Sequence, residues 1–238
     1  MKDILDVHTH TIASGHAYNT MKEMALAAKA KGLELLGISD HAPSMPGTCH
    51  EFYFGNFKTI DRNYYGVELL LGSELNIIDY NGTVDLSAYR LQQLDYAIAS
   101  LHDQCIKPKS IEENTAAIVG AIRNPYISII GHPDDGSYPV DYEKVVLAAK
   151  EHHVLLELNN SSLRPNTHRL NTWENDTTML NLCKQHGVSI VLNSDAHFES
   201  QVGDHPYSQD LVTKLNFPEE LIVNTSVAKL KSFLKKMK

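Results

Sequence analysis

Short apolar runs of four to eight residues alternate along this chain with segments whose apolar positions recur every three or four. That rhythm predicts repeated strand–helix units, since strands bury every second side chain and surface helices one stripe. Ile4 to His8 reads as a first strand. Thr20 to Lys31 follows as a helix with Met21, Met24, Ala25 and Ala28 on one face and Gly32 as its stop. Leu35 to Asp40 is a second strand and Val67 to Glu74 a third, followed over 76–84 by a hairpin with Asn81-Gly82 at its turn. Strands at Tyr96–Leu101, Tyr126–Gly131, Val154–Leu158 and Val188–Asn193 are separated by helices at Ile111–Ile122, at Tyr142–His152 and up to His186-Gly187. Then come a helix near Asp210, the apolar run Leu221-Ile222-Val223 and a last helix. Ser226 is its expected N-cap, and Lys235 and Lys236 would complement its negative end. No linker or repeat interrupts the pattern, so residues 1–238 read as one barrel-like α/β domain with about seven strands.

Composition adds one oddity. The chain is that of a soluble globular protein with net charge −8, which argues against a general nucleic-acid or anionic-membrane binder. Yet thirteen histidines outnumber six phenylalanines, and imidazole in such excess points to metal or proton chemistry. Cys49, Cys105 and Cys183 are widely spaced and odd in number, so a disulfide framework is not expected and a reducing, cytoplasmic setting is. There is no apolar leader and no run of transmembrane length.

The histidines are not scattered. His8 and His10 stand two apart at the first strand's end, on one side of an extended backbone. His16 lies in the turn beyond. Asp40 and His41 end the second strand, Glu74 the third, His102 and Asp103 the fourth, His132 the fifth, and Asp195 and His197 the seventh. In a parallel α/β barrel these ends converge on one face, where active sites sit. Nine ligands (His8, His10, His16, His41, Glu74, His102, His132, Asp195 and His197) exceed what one ion takes and suit two or three. Glu74 is the candidate bridge. Imidazole and carboxylate suit zinc, manganese or iron, with zinc first among them.

Asp6-Val-His8-Thr-His10, Ser39-Asp40-His41, Glu74, His102, Gly131-His132-Pro133 and Asn193-Ser194-Asp195-Ala196-His197 resemble the motifs of the PHP (polymerase and histidinol phosphatase) family. Ser14-Gly15-His16-Ala17-Tyr18 and Glu157 to Ser162 resemble its small stand-alone YcdX-like phosphatases more closely. The resemblance implies a distorted (β/α)7 TIM-like barrel with a trinuclear metal site and phosphoesterase activity. It implies a first divalent ion on His8, His10, Glu74 and Asp195, a second on Glu74, His102 and His132, and a third on His16, His41 and His197. It leaves room for a homotrimer.

The expected reaction is hydrolysis of a small-molecule phosphomonoester by metal-activated water, two ions about 4 Å apart clamping the displacement. Asp195, Glu74 and His197 would carry it. Asp103 or Asp40 are candidates to protonate the leaving oxygen, and equally to support the ligands from behind or to serve structure; Asp6 is expected to hold a ligating imidazole in its tautomer. Arg164, His168 and Arg169, in the loop after the sixth strand, are candidate substrate contacts. The loop with His50, Phe52, Tyr53 and Asn56 reads either as a lid or as packing, and His205 carries no assignment. Two rivals stand. Amidohydrolases also begin with His-x-His but usually bridge two metals with a lysine on strand four, where this chain has His102. A non-catalytic metal-loaded interaction module would lack turnover.

Overall fold

A computed structural model describes residues 2–234; the expected roles of Lys235 and Lys236 lie outside them. The strands are β1 (Leu5–Asp6), β2 (Leu35–Ile38), β3 (Asn63–Tyr64), β4 (Val67–Leu71), β5 (Ser73–Asn76), β6 (Ala97–Ser100), β7 (Ile129–Ile130), β8 (Leu155–Asn159) and β9 (Ile190–Asn193). The helices are α1 (Met21–Ala30), α2 (Phe52–Gly55), α3 (Ala88–Leu91), α4 (Ile111–Ile122), α5 (Tyr142–His152), α6 (Thr172–His186), α7 (Pro206–Lys214) and α8 (Val227–Phe233). The helix starts follow their caps. Thr20 and Glu23 form a capping box at α1, and Ser110, Asp141 and Ser226 each accept a backbone N–H at α4, α5 and α8.

The strands form two sheets, β1-β2-β4-β3 and β5-β6-β7-β8-β9, parallel throughout except for β3 against β4. The single third strand expected from Val67 to Glu74 is thus two strands, one in each sheet. Gly72 is the break. A Cβ there would lie 2.6 Å from the Tyr96 carbonyl oxygen, so the chain crosses between sheets where only glycine fits. Two isolated parallel bridges link the two sheets: His41, past β2, with Glu74 in β5, and Thr9, past β1, with Ala196, past β9.

Alternation sorts the side chains. Leu36, Leu69, Leu156 and Leu192 pack towards the helices, in one large cluster with Met24, Ala28, Ile118, Val146 and Leu180. Their neighbours Leu5, Leu35, Leu70, Ile98, Leu155 and Val191 form a second cluster with Leu230 of α8. Strands buried on both faces are why these runs read as continuously apolar. The segment 42–57 packs rather than floats: Phe54 and Phe57 are fully buried, and the Tyr53 hydroxyl donates to Asp40 Oδ2 at 2.7 Å. Of the four residues read as lid or packing, Tyr53 packs against Phe54 and Phe57, His50, Phe52 and Asn56 are exposed, and none lines the cleft described below. No helix among the described residues is long and apolar enough to cross a membrane.

Candidate metal centre

The two bridges explain how distant residues meet. Pairing of Thr9 with Ala196, with His10 N donating to the Ala196 carbonyl at 2.8 Å, sets His8 and His10 beside Asp195 and His197. Pairing of His41 with Glu74 sets the second strand's ligand against the third's. Asp195 and His132 both sit at positive φ, 54° and 27°, a strain of about 1–3 kcal/mol each that the surrounding contacts must hold.

Glu74 lies at the centre, almost wholly buried. Its Oε1 is 2.9 Å from His132 Nε2 and 3.2 Å from His102 Nε2. Its Oε2 is 2.9 Å from His41 Nδ1, 3.2 Å from His8 Nε2 and 3.5 Å from His10 Nε2. Burial alone would raise its pKa, but the imidazoles of His8, His41 and His102 outweigh that and hold it well below the usual carboxylate range. Asp195 is held down in the same way against burial, by His8, His10, Arg169 and His197. For His10, burial and then His197 and His41 act together and keep the ring neutral, the form that binds metals. His16, which stacks 4.9 Å from His41 and 4.8 Å from His197, is lowered by burial and the same kind of neighbours.

The outward nitrogens of the rings are tied down. His8 Nδ1 meets Glu157 Oε1 at 2.7 Å, His10 Nδ1 meets Ser14 Oγ at 3.0 Å, and His102 Nδ1 meets Asn76 Oδ1 at 2.8 Å. His197 Nδ1 lies 3.0 Å from the Asp195 carbonyl. Ser14 is fully used: it donates to Asp40 Oδ1 at 2.7 Å and also accepts the His41 backbone N–H, so the His10 proton sits on Nδ1. The facing nitrogens point inward to where an ion would bind; without one, the carboxylates of Glu157, Glu74 and Asp195 outweigh burial and hold the His8 pKa well above its ordinary value. His8 Nε2, His10 Nε2 and His41 Nδ1 are buried and make no hydrogen bond, which is costly for a polar atom unless a ligand takes it.

Among the described residues, three sets have ligand atoms all within 4.8 Å of one another: His8, His10 and Glu74; His41, Glu74 and His102; and His10, His41 and His197. The donor set fits a cluster of divalent ions that share Glu74. His10 thus belongs to two of these sets, while the His16 ring stacks on both His41 and His197 at the outer side of the third.

Some expectations need correction. Asp6 meets no ring of the cluster: it accepts from the His8, Ser194 and Gly203 N–H groups and the Ser194 hydroxyl. Fully buried, it anchors backbone instead, and His205 explains why. That imidazole is buried between Asp3 Oδ2 at 2.5 Å and Asp6 Oδ2 at 3.7 Å; burial opposes its charge, but the two carboxylates push its pKa up to about 10. Asp40 cannot serve a leaving oxygen, because it is buried and already accepts from Thr11 N, Thr11 Oγ1, Ser14 and Tyr53. Asp103 is exposed and does not line the cleft.

Glu157 is the residue that sequence reasoning missed. Strand six was the one strand with no assigned group, yet Glu157 is fully buried within it. It accepts from His8 Nδ1 and Asn193 Nδ2 through Oε1, and from His132 N and Asn159 Nδ2 through Oε2. The signal was present: an acid inside Val154-Leu155-Leu156-Glu157-Leu158 needs buried partners.

The cluster floors an open cleft of about 560 Å³, lined also by Arg164, His168 and Arg169. Arg169 reaches Asp195 Oδ2 at 3.1 Å and Ser162 Oγ at 2.8 Å, while Arg164 pairs with Asp204 Oδ2 at 3.2 Å.

Known proteins resemble this chain. The family model described as "PHP domain" matches residues 6–163. A Clostridium novyi (strain NT) protein named "Probable phosphatase" is 47% identical over 235 residues, 99% of this chain and 96% of that one. An Acetivibrio thermocellus protein of the same name is 44% identical over 238 residues, 100% and 98% of the two chains. Among solved structures, the histidinol phosphate phosphatase of Lactococcus lactis subsp. lactis Il1403, complexed with zinc, L-histidinol and phosphate, superposes with a TM-score of 0.60. It is 16% identical and covers 91% of this chain and 95% of that one. A chain in the structure of an archaeal ribonuclease P with mature tRNA superposes at 0.55 with 17% identity, covering 96% and 87%; at such identities the likeness is one of fold. The chain belongs to the PHP domain family.

Proposed function

We propose that this chain is a metal-dependent phosphomonoesterase, one domain over residues 1–238, with a trinuclear centre at the C-terminal ends of a distorted barrel of strands. The observation that carries the reading is Glu74, with five imidazole nitrogens within 3.5 Å of its two oxygens. The proposed ligands are His8, His10, Glu74 and Asp195 for one ion, Glu74, His102 and His132 for a second, and His16, His41 and His197 for a third. Zinc is the first candidate, ahead of manganese and iron. The bridges at Thr9–Ala196 and His41–Glu74 support barrel closure at that end.

Bound ions of this kind supply Lewis acidity, a water acidic enough to attack near neutral pH, and charge to balance phosphoryl oxygens. The chain's own residues position the reactants. Asp195 is fixed by Arg169 and Asn159 through Oδ2, leaving Oδ1 towards His8 and His10, where it orients the attacking water. Arg169, with a side chain only 10% exposed, lies beside that carboxylate and contacts the phosphate. Arg164 and His168 contribute to the wall that receives the rest of the substrate. Among the described residues no lysine lines the cleft, which favours this reading over a lysine-bridged amidohydrolase.

Protein purified without chelator is expected to hydrolyse p-nitrophenyl phosphate and to lose that activity to a chelator. Asp195→Asn is expected to lower kcat by about 100-fold or more. Near-wild-type turnover of that variant at full metal content would sink the assignment.

A further inference from the structure

The wall of the cleft has a sign. Apart from Glu74 and Asp195, both engaged in the cluster, no carboxylate lines it among the described residues. Arg164, His168 and Arg169 do, with the uncharged polar side chains of Gln104, Asn166 and Gln201. Aromatic rings other than imidazole are missing from the lining. A cationic leaving group would find no free counter-charge there among the described residues. Each arginine is ion-paired, Arg169 with Asp195 and Arg164 with Asp204, so the wall offers an anion spare N–H donors and not a general positive field.

The two arginines are not equivalent. Arg169 is joined to Asp195 and is nearly covered. Arg164 pairs with Asp204, which is 42% exposed, so that guanidinium is held from the solvent side. A single ion pair leaves it further N–H donors for a ligand. We infer that this site selects phosphomonoesters whose leaving group carries a second anion, a carboxylate or another phosphate, read by Arg164 with His168. The inference rests on the phosphomonoesterase reading and specifies its substrate class.

Two matched series test it on the metal-loaded protein. The first is turnover of 3-phosphoglycerate, glycerol 3-phosphate and ethanolamine phosphate. The second is calorimetric binding of 3-phosphonopropionate, propylphosphonate and 2-aminoethylphosphonate, which cannot be hydrolysed. The anionic member is expected to lead the neutral one by about 10- to 100-fold in kcat/KM and in affinity, with the cationic member last. Arg164→Gln is expected to collapse the anionic-to-neutral ratio in both series, and Arg164→Lys to restore part of it. An equal ratio, a lead for the cation, or a ratio unmoved by Arg164→Gln overturns the inference while the phosphomonoesterase reading stands. If the loaded protein neither hydrolyses nor binds any member, that underlying reading fails and takes the inference with it.

Discussion

Glu157→Gln changes one atom of the buried scaffold under the cluster, and the structure dictates its cost. Each oxygen of Glu157 faces two donors: His8 Nδ1 and Asn193 Nδ2 at 2.7 and 2.8 Å, and His132 N and Asn159 Nδ2 at 2.7 and 3.0 Å. A carboxamide keeps one acceptor and turns the other end into a donor, so either orientation sets N–H against two N–H groups. The neighbours cannot adapt by flipping. Asn193 Oδ1 already accepts the Val7 N–H, and Asn159 Oδ1 accepts that of Ser162. The His132 donor is backbone. Only His8 can respond, by giving up its Nδ1 proton and keeping one on Nε2, and a protonated Nε2 cannot bind an ion. Two hydrogen bonds to a charged acceptor at about 1.5–3 kcal/mol each predict a loss of about 3–6 kcal/mol from the metal-free protein. Loss of the acceptor that orients a ligating histidine predicts metal binding weaker by about 10- to 100-fold. Urea denaturation of chelator-treated protein reads the first, and competition with a chromophoric chelator reads the second. A stability change under about 1 kcal/mol together with unchanged metal affinity would refute the role given to Glu157.

Ser14→Ala breaks the link from Asp40 to His10, and chelator competition is expected to show metal affinity lower by about 10- to 100-fold; an unchanged affinity would mean that cluster packing alone orients His10. His205→Gln removes the charge between Asp3 and Asp6, and a buried pair broken from one side costs about 3–5 kcal/mol. Because the fold raises the His205 pKa to about 10 from 6.5, that stabilisation is complete below about pH 6.5, falls as pH rises, and is gone above about pH 10. Denaturation midpoints of wild type and variant should therefore converge between those limits, and a pH-independent gap would count against a buried imidazolium.

Local features of the chain were readable because their causes are local. The helices over 111–122 and 142–152 were located from their apolar pattern alone, and each begins at a side-chain cap, Ser110 and Asp141. The metal-type residues were legible as a set because each follows a strand, and parallel strands bring their ends together. What escaped depends on contacts between remote residues. The break at Gly72 is set by Tyr96, just before β6 and 24 positions away. Glu157 meets His8 across 149 positions of sequence, and in its own run it looks like an acid misplaced among leucines. Asp40 and Asp6 look like chemistry by position, and only their saturated hydrogen bonds identify them as anchors.

The central claim is that Glu74 is the carboxylate around which several metal ions are held. Elemental analysis of wild type and Glu74→Gln, both purified without chelator, tests it most directly. The account predicts more than one divalent ion per wild-type chain. For the variant it predicts a fall towards about one, because Glu74 is a proposed ligand of two of the three ions and only the site of His16, His41 and His197 does without it. Wild-type protein without stoichiometric metal, or a variant with the same metal-to-chain ratio as wild type, would contradict it.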